Sequence, residues 1–166
     1  MVQSILIGLV AVLGLCDYCS GTSMVQRPIV LGPLVGLILG DISQGVIIGA
    51  SIELAFMGVM YIGGAVPVNA LAGGVIATAI AIKSRAGIEA ALALAMPVGA
   101  LFSLVETAYY IGIQFILQKF DKACKEGNAK RIPQLHFLCF AIWSAFYFII
   151  TFVTVQLFQQ PSRDCG

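Results

Sequence analysis

PIVLGPLVGLILG, residues 28–40, carries no charge, yet it is only thirteen residues long. A helix of that length reaches about 20 Å, while the hydrocarbon core of a bilayer is about 30 Å thick. The stretch therefore reads as a half-span, a re-entrant arm or one part of a longer tilted helix. Residues 70–82, ALAGGVIATAIAI, raise the same problem on the far side of a proline break at PVN, 67–69. Short hydrophobic pieces interrupted by Gly or Pro, in corresponding positions, point to a transporter binding site. Irregular backbone at membrane depth is tolerated only where protein or a water-filled cavity surrounds it.

Composition supports the membrane reading. Of the 166 residues, 60% are hydrophobic and 10% are charged, against about 25% charged in average soluble domains. The expected fold is an all-α polytopic membrane helical bundle with re-entrant or broken helices. A net charge of +1 gives no global field that would attract nucleic acid. The N-terminal run MVQSILIGLVAVLGLC lacks a charged leader and a small-residue cleavage site, so it reads as a first membrane segment that closes at Asp17. Residues 45–66 are long enough to span. Residues 86–118 form one long apolar tract around Glu89, Pro97 and Glu106, expected as a kinked, tilted span. Residues 119–134 read as a loop with five Lys/Arg against two acids, which the positive-inside rule assigns to the cytoplasm. Residues 137–158 are uncharged and give the cleanest transmembrane helix, and 159–166 form a short polar tail.

Five cysteines include one CxxC, Cys16 and Cys19, with no second pair or His at zinc-ligand spacing. They read as small buried residues, and no cofactor or metal is expected. No phosphate-cradling loop, nucleophile elbow or zinc-protease motif occurs, and composition and motifs go no further than a membrane protein with a half-helix core.

Four residues are candidate substrate ligands. Glu53 is the one charge in GVIIGASIELAFMGVMYIGG, residues 45–64. An ionised carboxylate at membrane depth costs at least about 2–3 kcal/mol, so Glu53 is expected to face a cavity or to bond a re-entrant backbone. Asn69, in the break after Pro67, offers two donors and an acceptor that suit a sugar hydroxyl, or it caps a turn. Asp41 and Gln44, in GDISQG, are either a helix cap with its neighbour or further ligands. Glycines at 32, 36 and 40 and at 45 and 49 recur every fourth residue, which makes grooves where another backbone can approach closely. Arg27, beside Pro28, reads as an interfacial anchor, and Glu106 could pair or face water.

Over residues 26–82 the chain resembles the IIC component of the mannose/fructose/sorbose class of the bacterial phosphoenolpyruvate-dependent phosphotransferase system. The resemblance rests on R-P, then G-P-L-V-G-x-x-L-G-D, then G-x-x-x-G-x-x-x-E-L, then G-x-x-x-P-x-N, with ALALAMPVGALF (91–102) and FDKACKEGN (120–128) also fitting. Within the class, the N-acetylgalactosamine/galactosamine type looks most similar. The resemblance implies a multi-pass subunit of the bacterial inner membrane that binds and translocates a hexose or amino sugar. It implies partnership with a IID membrane subunit, with cytoplasmic IIA and IIB phosphocarriers doing the phosphoryl transfer, and an oligomer of IIC–IID pairs. The family carboxylate falls on Glu53 and the polar loop residue on Asn69, where mannose-type members tend to carry an acid. The resemblance covers residues 1–158. Family members continue further, so a C-terminally truncated product is expected. The alternatives are a non-transport membrane scaffold and a stand-alone proton-coupled carrier.

Overall fold

The computed structural model describes residues 2–20, 23–59, 68–126 and 131–159. They form six helices: α1 (Val2–Ser20), α2 (Pro28–Leu39), α3 (Ile42–Phe56), α4 (Ala70–Ser84), α5 (Gly87–Lys125) and α6 (Arg131–Gln159). No strand occurs among the described residues. The polar tail lies almost wholly in 160–166, outside the described residues, as does Pro67.

Helix α2 begins with Pro28 at its first turn, where a missing N–H costs nothing. It ends at Gly40, whose φ of +88° is the left-handed cap that side chains resist. Asp41 then caps α3, its carboxylate accepting from the Gln44 N–H at 3.0 Å. Two residues thus reverse the chain, and α2 and α3 form an antiparallel helical hairpin. The glycines lie along its seam. A methyl added at Gly32 would lie 2.6 Å from the Gly45 carbonyl oxygen and 2.7 Å from the Gly49 Cα, and one at Gly45 would lie 2.9 Å from the Gly36 Cα. The fourth-residue spacing is therefore backbone-to-backbone packing.

Helix α4 is the hub. Leu71 through Ala79 are all buried, as expected of a helix apolar on every side. One face joins the core of Ile7, Leu15, Leu31, Val35 and Tyr147; the other meets Ile48, Ile52, Phe56, Ala91 and Ala95. Gly73 and Gly99 bring α4 and α5 close, a methyl at Gly73 falling 2.7 Å from the Ala95 carbonyl oxygen.

Two helices are long and apolar enough to cross a membrane, Gly87–Lys122 within α5 and Arg131–Phe158 within α6. Their large apolar side chains, among them Leu101, Leu104, Phe115, Phe137 and Ile149, are exposed. The four other helices are shorter, which gives the broken-helix architecture expected from residues 28–40.

Three boundaries differ from the sequence reading. Helix α1 continues past Asp17 to Ser20, because that carboxylate is buried and accepts the Ser23 N–H at 2.8 Å. Helix α3 stops at Phe56 and turns at Met57 and Gly58, so 45–66 is not one helix. The basic segment 119–134 is helical at both of its described ends. Helix α5 runs to Lys125 and α6 starts at Arg131, since Lys and Arg are good helix formers and favour a helix C-terminus.

Candidate functional site

The hairpin register that seats Gly32 on Gly49 also places Arg27 opposite Glu53, at the hairpin's open end. The Arg27 Nη1 lies 3.3 Å from Glu53 Oε1. Glu53 is 18% exposed in its side chain, and its second oxygen, Oε2, is buried with no hydrogen-bond partner. Gln26 Oε1, next to Arg27 in the chain, and Asp17 Oδ2 are likewise buried acceptors without a hydrogen-bond partner. Gly14 of α1 packs against Leu31 of α2 and Leu71 of α4, so the end of α1 that carries Asp17 lies at this same end of the bundle. Arg27 thus does more than anchor the chain at an interface.

Asn69 opens α4 and holds a second, separate polar group. Its Oδ1 accepts from the Ala72 N–H at 2.9 Å, closing the helix cap, and from the Tyr147 hydroxyl at 3.0 Å. Its Nδ2 donates to Glu106 Oε2 at 2.9 Å, and the Tyr110 hydroxyl donates to Glu106 Oε1 at 3.0 Å. The Asn69 backbone N–H donates to the Gly99 carbonyl at 3.0 Å. Asn69 is 4% exposed and Glu106 is 7%. A buried acid is tolerable here because both of its oxygens accept hydrogen bonds. The turn-capping reading of Asn69 is realised, and one Nδ2 hydrogen remains outside these bonds.

The four sequence candidates do not converge. Asp41 and Gln44 stand exposed at the hairpin's closed tip. Glu53 lies twelve positions after Asp41 along α3, about 18 Å of helix. A monosaccharide cannot touch both ends. Glu53 and Asn69 lie at the same end, but each bonds to different partners. Sequence reasoning left Glu106 undecided and passed over Gln26, Asp17 and Tyr147. For Glu106 the available signal was an acid one turn before Tyr109 and Tyr110. For the others, no short-range pattern marks a buried polar group.

Among the described residues, no group of three His, Cys, Asp or Glu gathers where a metal could sit. Two cavities are found between α5 and α6. One is bordered by Glu106, Tyr109, Trp143 and Tyr147; the other lies at the basic ends of the helices. Neither is lined by Glu53 or Asn69. Chemically, the open end offers hydrogen-bond acceptors held beside one guanidinium, a set suited to binding a neutral, donor-rich molecule.

The family model described as "PTS system sorbose-specific iic component" matches residues 1–164. The chain is 32% identical over 132 residues to the "Putative N-acetylgalactosamine permease IIC component 2" of Escherichia coli (strain K12), covering 80% of this chain and 97% of that one. It is 33% identical over 154 residues to the "N-acetylgalactosamine permease IIC component 1" of the same organism, covering 93% of this chain and 57% of that one. A solved structure, "CryoEM Structure of Mannose Transporter ManYZ and Microcin E492 (MceA) complex", superposes with a TM-score of 0.85 at 27% identity, over 95% of this chain and 64% of that chain.

Proposed function

The chain belongs to the family of sorbose-specific IIC components of the phosphotransferase system, and on that premise we propose that it binds and translocates a sugar at the open end of the α2–α3 hairpin. The relatives named for N-acetylgalactosamine permeases favour an amino sugar of that type as the substrate. The proposed setting is the bacterial inner membrane, crossed several times, with a IID subunit completing the path. The IIA and IIB phosphocarriers would deliver phosphate to the sugar as it is released. The likeness to a mannose transporter complex supports that partnership.

One observation carries the assignment: Glu53 Oε2 is buried beside Arg27 with no donor. An unpartnered buried oxygen costs about 1–3 kcal/mol, more when charged. A sugar hydroxyl donating to it would offset that cost. Gln26 Oε1 and Asp17 Oδ2 offer further acceptors for a polyhydroxylated ligand. Arg27 aims the carboxylate through its 3.3 Å contact with Oε1. Asn69 is a positioning residue here, fixing the start of α4 next to the site. Asp41 and Gln44 act in this proposal only as the hinge of the hairpin.

The test is phosphoenolpyruvate-dependent sugar uptake by the complete complex carrying Glu53→Gln. A hydrogen bond to a charged group is worth about 1.5–3 kcal/mol, so uptake should fall roughly 10- to 100-fold at normal membrane assembly. Unchanged uptake at normal expression would remove Glu53 from the site. Uptake driven by a pH gradient without phosphoenolpyruvate would favour a stand-alone carrier.

A further inference from the structure

The basic end of the α5–α6 pair is not used by the sugar site. It encloses a cavity of about 390 Å³ lined by Lys119 and Lys122 of α5 and by Arg131, Gln134, Leu135 and Leu138 of α6. Lys119 and Lys122 are three residues apart, hence on one face of their helix. Arg131 enters from the first turn of the next helix, so three cations converge on one hollow. Arg131 lies 3.8 Å from Glu126, while among the described residues neither lysine has a carboxylate within salt-bridge distance. Like charges brought together repel, and an anion seated among them relieves that repulsion.

The cavity is two-faced. Its lining combines three cations and the Gln134 amide with the apolar Leu135 and Leu138. Both helices change character at this level. Charge begins at Lys119 on α5 after the long apolar tract, and on α6 it ends at Arg131, before the uncharged run 137–158. The cavity therefore sits where the apolar parts of two spanning helices give way to charge, at headgroup depth. Such basic hollows between spanning helices suit phosphate-bearing lipids.

The geometry points to a binding site for the anionic phosphodiester headgroup of a membrane phospholipid, with Lys119, Lys122 and Arg131 holding the phosphate, Gln134 donating to it, and Leu135 and Leu138 receiving the top of an acyl chain. This would tie the basic ends of α5 and α6 together, beyond the Tyr109 contacts with Trp143 and the Cys139 carbonyl deeper along the pair.

The full chain, purified in detergent and supplied with an equimolar mixture of phosphatidylglycerol and phosphatidylcholine, should retain phosphatidylglycerol preferentially when bound lipid is weighed by native mass spectrometry. Each cation removed should weaken that retention roughly five-fold. Arg131→Gln should thus cost one such step and Lys119→Gln with Lys122→Gln two, while Lys83→Gln, outside the cavity, should leave it unchanged. The two routes to charge loss lie on different helices, so misfolding of one variant still leaves the other to decide. Equal retention of the two lipids, an unaltered preference in the variants, or displacement of the lipid by inorganic phosphate at matching concentration would each overturn the assignment.

Discussion

Asn69 caps α4 through Ala72, takes the Tyr147 hydroxyl, donates to Glu106 and ties its own backbone to Gly99. Removing it strands several buried groups at once. Asn69→Ala loses the cap, worth about 1 kcal/mol, and takes the Nδ2 donor from Glu106 Oε2, at about 1–3 kcal/mol, together with the bond from the Tyr147 hydroxyl. The expected loss is on the order of 3 kcal/mol, read as a lower unfolding midpoint in detergent. Tyr147→Phe removes one donor and leaves Asn69 Oδ1 still bonded to Ala72, so it should cost about 1 kcal/mol. Equal losses for the two variants would mean that Asn69 is not the node of the network. Glu53 differs in kind: one of its oxygens is paired and the other is not. That asymmetry makes it a candidate for ligand binding, whereas the saturated Glu106 reads as structure.

At the scale of the element, the α2–α3 hairpin depends on having no side chain along its seam. A methyl at Gly45 would fall 2.6 Å from the Gly32 carbonyl oxygen, and the obstacle is backbone that cannot rotate away. Gly45→Ala should therefore destabilise the protein by about 1–3 kcal/mol through overpacking. Gly112, in the middle of α5, has nothing within 4 Å of such a methyl. Gly112→Ala should stabilise by about 0.5–1 kcal/mol, because alanine loses less entropy in a helix. Thermal unfolding of the pair checks both signs. Gly40 tests conformation alone. No atom crowds it, but its φ is +88°, so Gly40→Ala should cost about 1–2 kcal/mol.

Across the whole molecule, α4 joins two apolar cores, and the long α5 and α6 present apolar surface outward. The α5–α6 connection carries the Lys/Arg excess and is expected on the cytoplasmic side. Cys124 is exposed at that end of α5, which makes the orientation measurable. A membrane-impermeant maleimide should label Cys124 in inside-out vesicles and not in intact cells. The opposite pattern would invert the topology. The proposed lipid site, at the same end, would then face the other leaflet.

The class of the fold follows from local chemistry along the chain. Apolar runs of thirteen residues cannot cross a bilayer alone, and glycine at every fourth position on two successive runs requires close backbone approach. Both follow from helix rise and side-chain volume, which are local quantities. The cap at Asp41 was one of the two readings open to GDISQG, whereas Gly40, read as part of the glycine groove, is the left-handed cap of α2. Which polar groups meet depends instead on how the helices pack. Arg27 and Glu53 are 26 residues apart, Asn69 and Glu106 are 37 apart, and Asn69 and Tyr147 are 78 apart. The hairpin register and the packing of α4 against α5 and α6 bring these groups together. A carboxylate in an apolar run must find a partner somewhere. Only the arrangement of the helices determines whether that partner comes from the protein, as for Glu106, or is left for a ligand, as at one oxygen of Glu53.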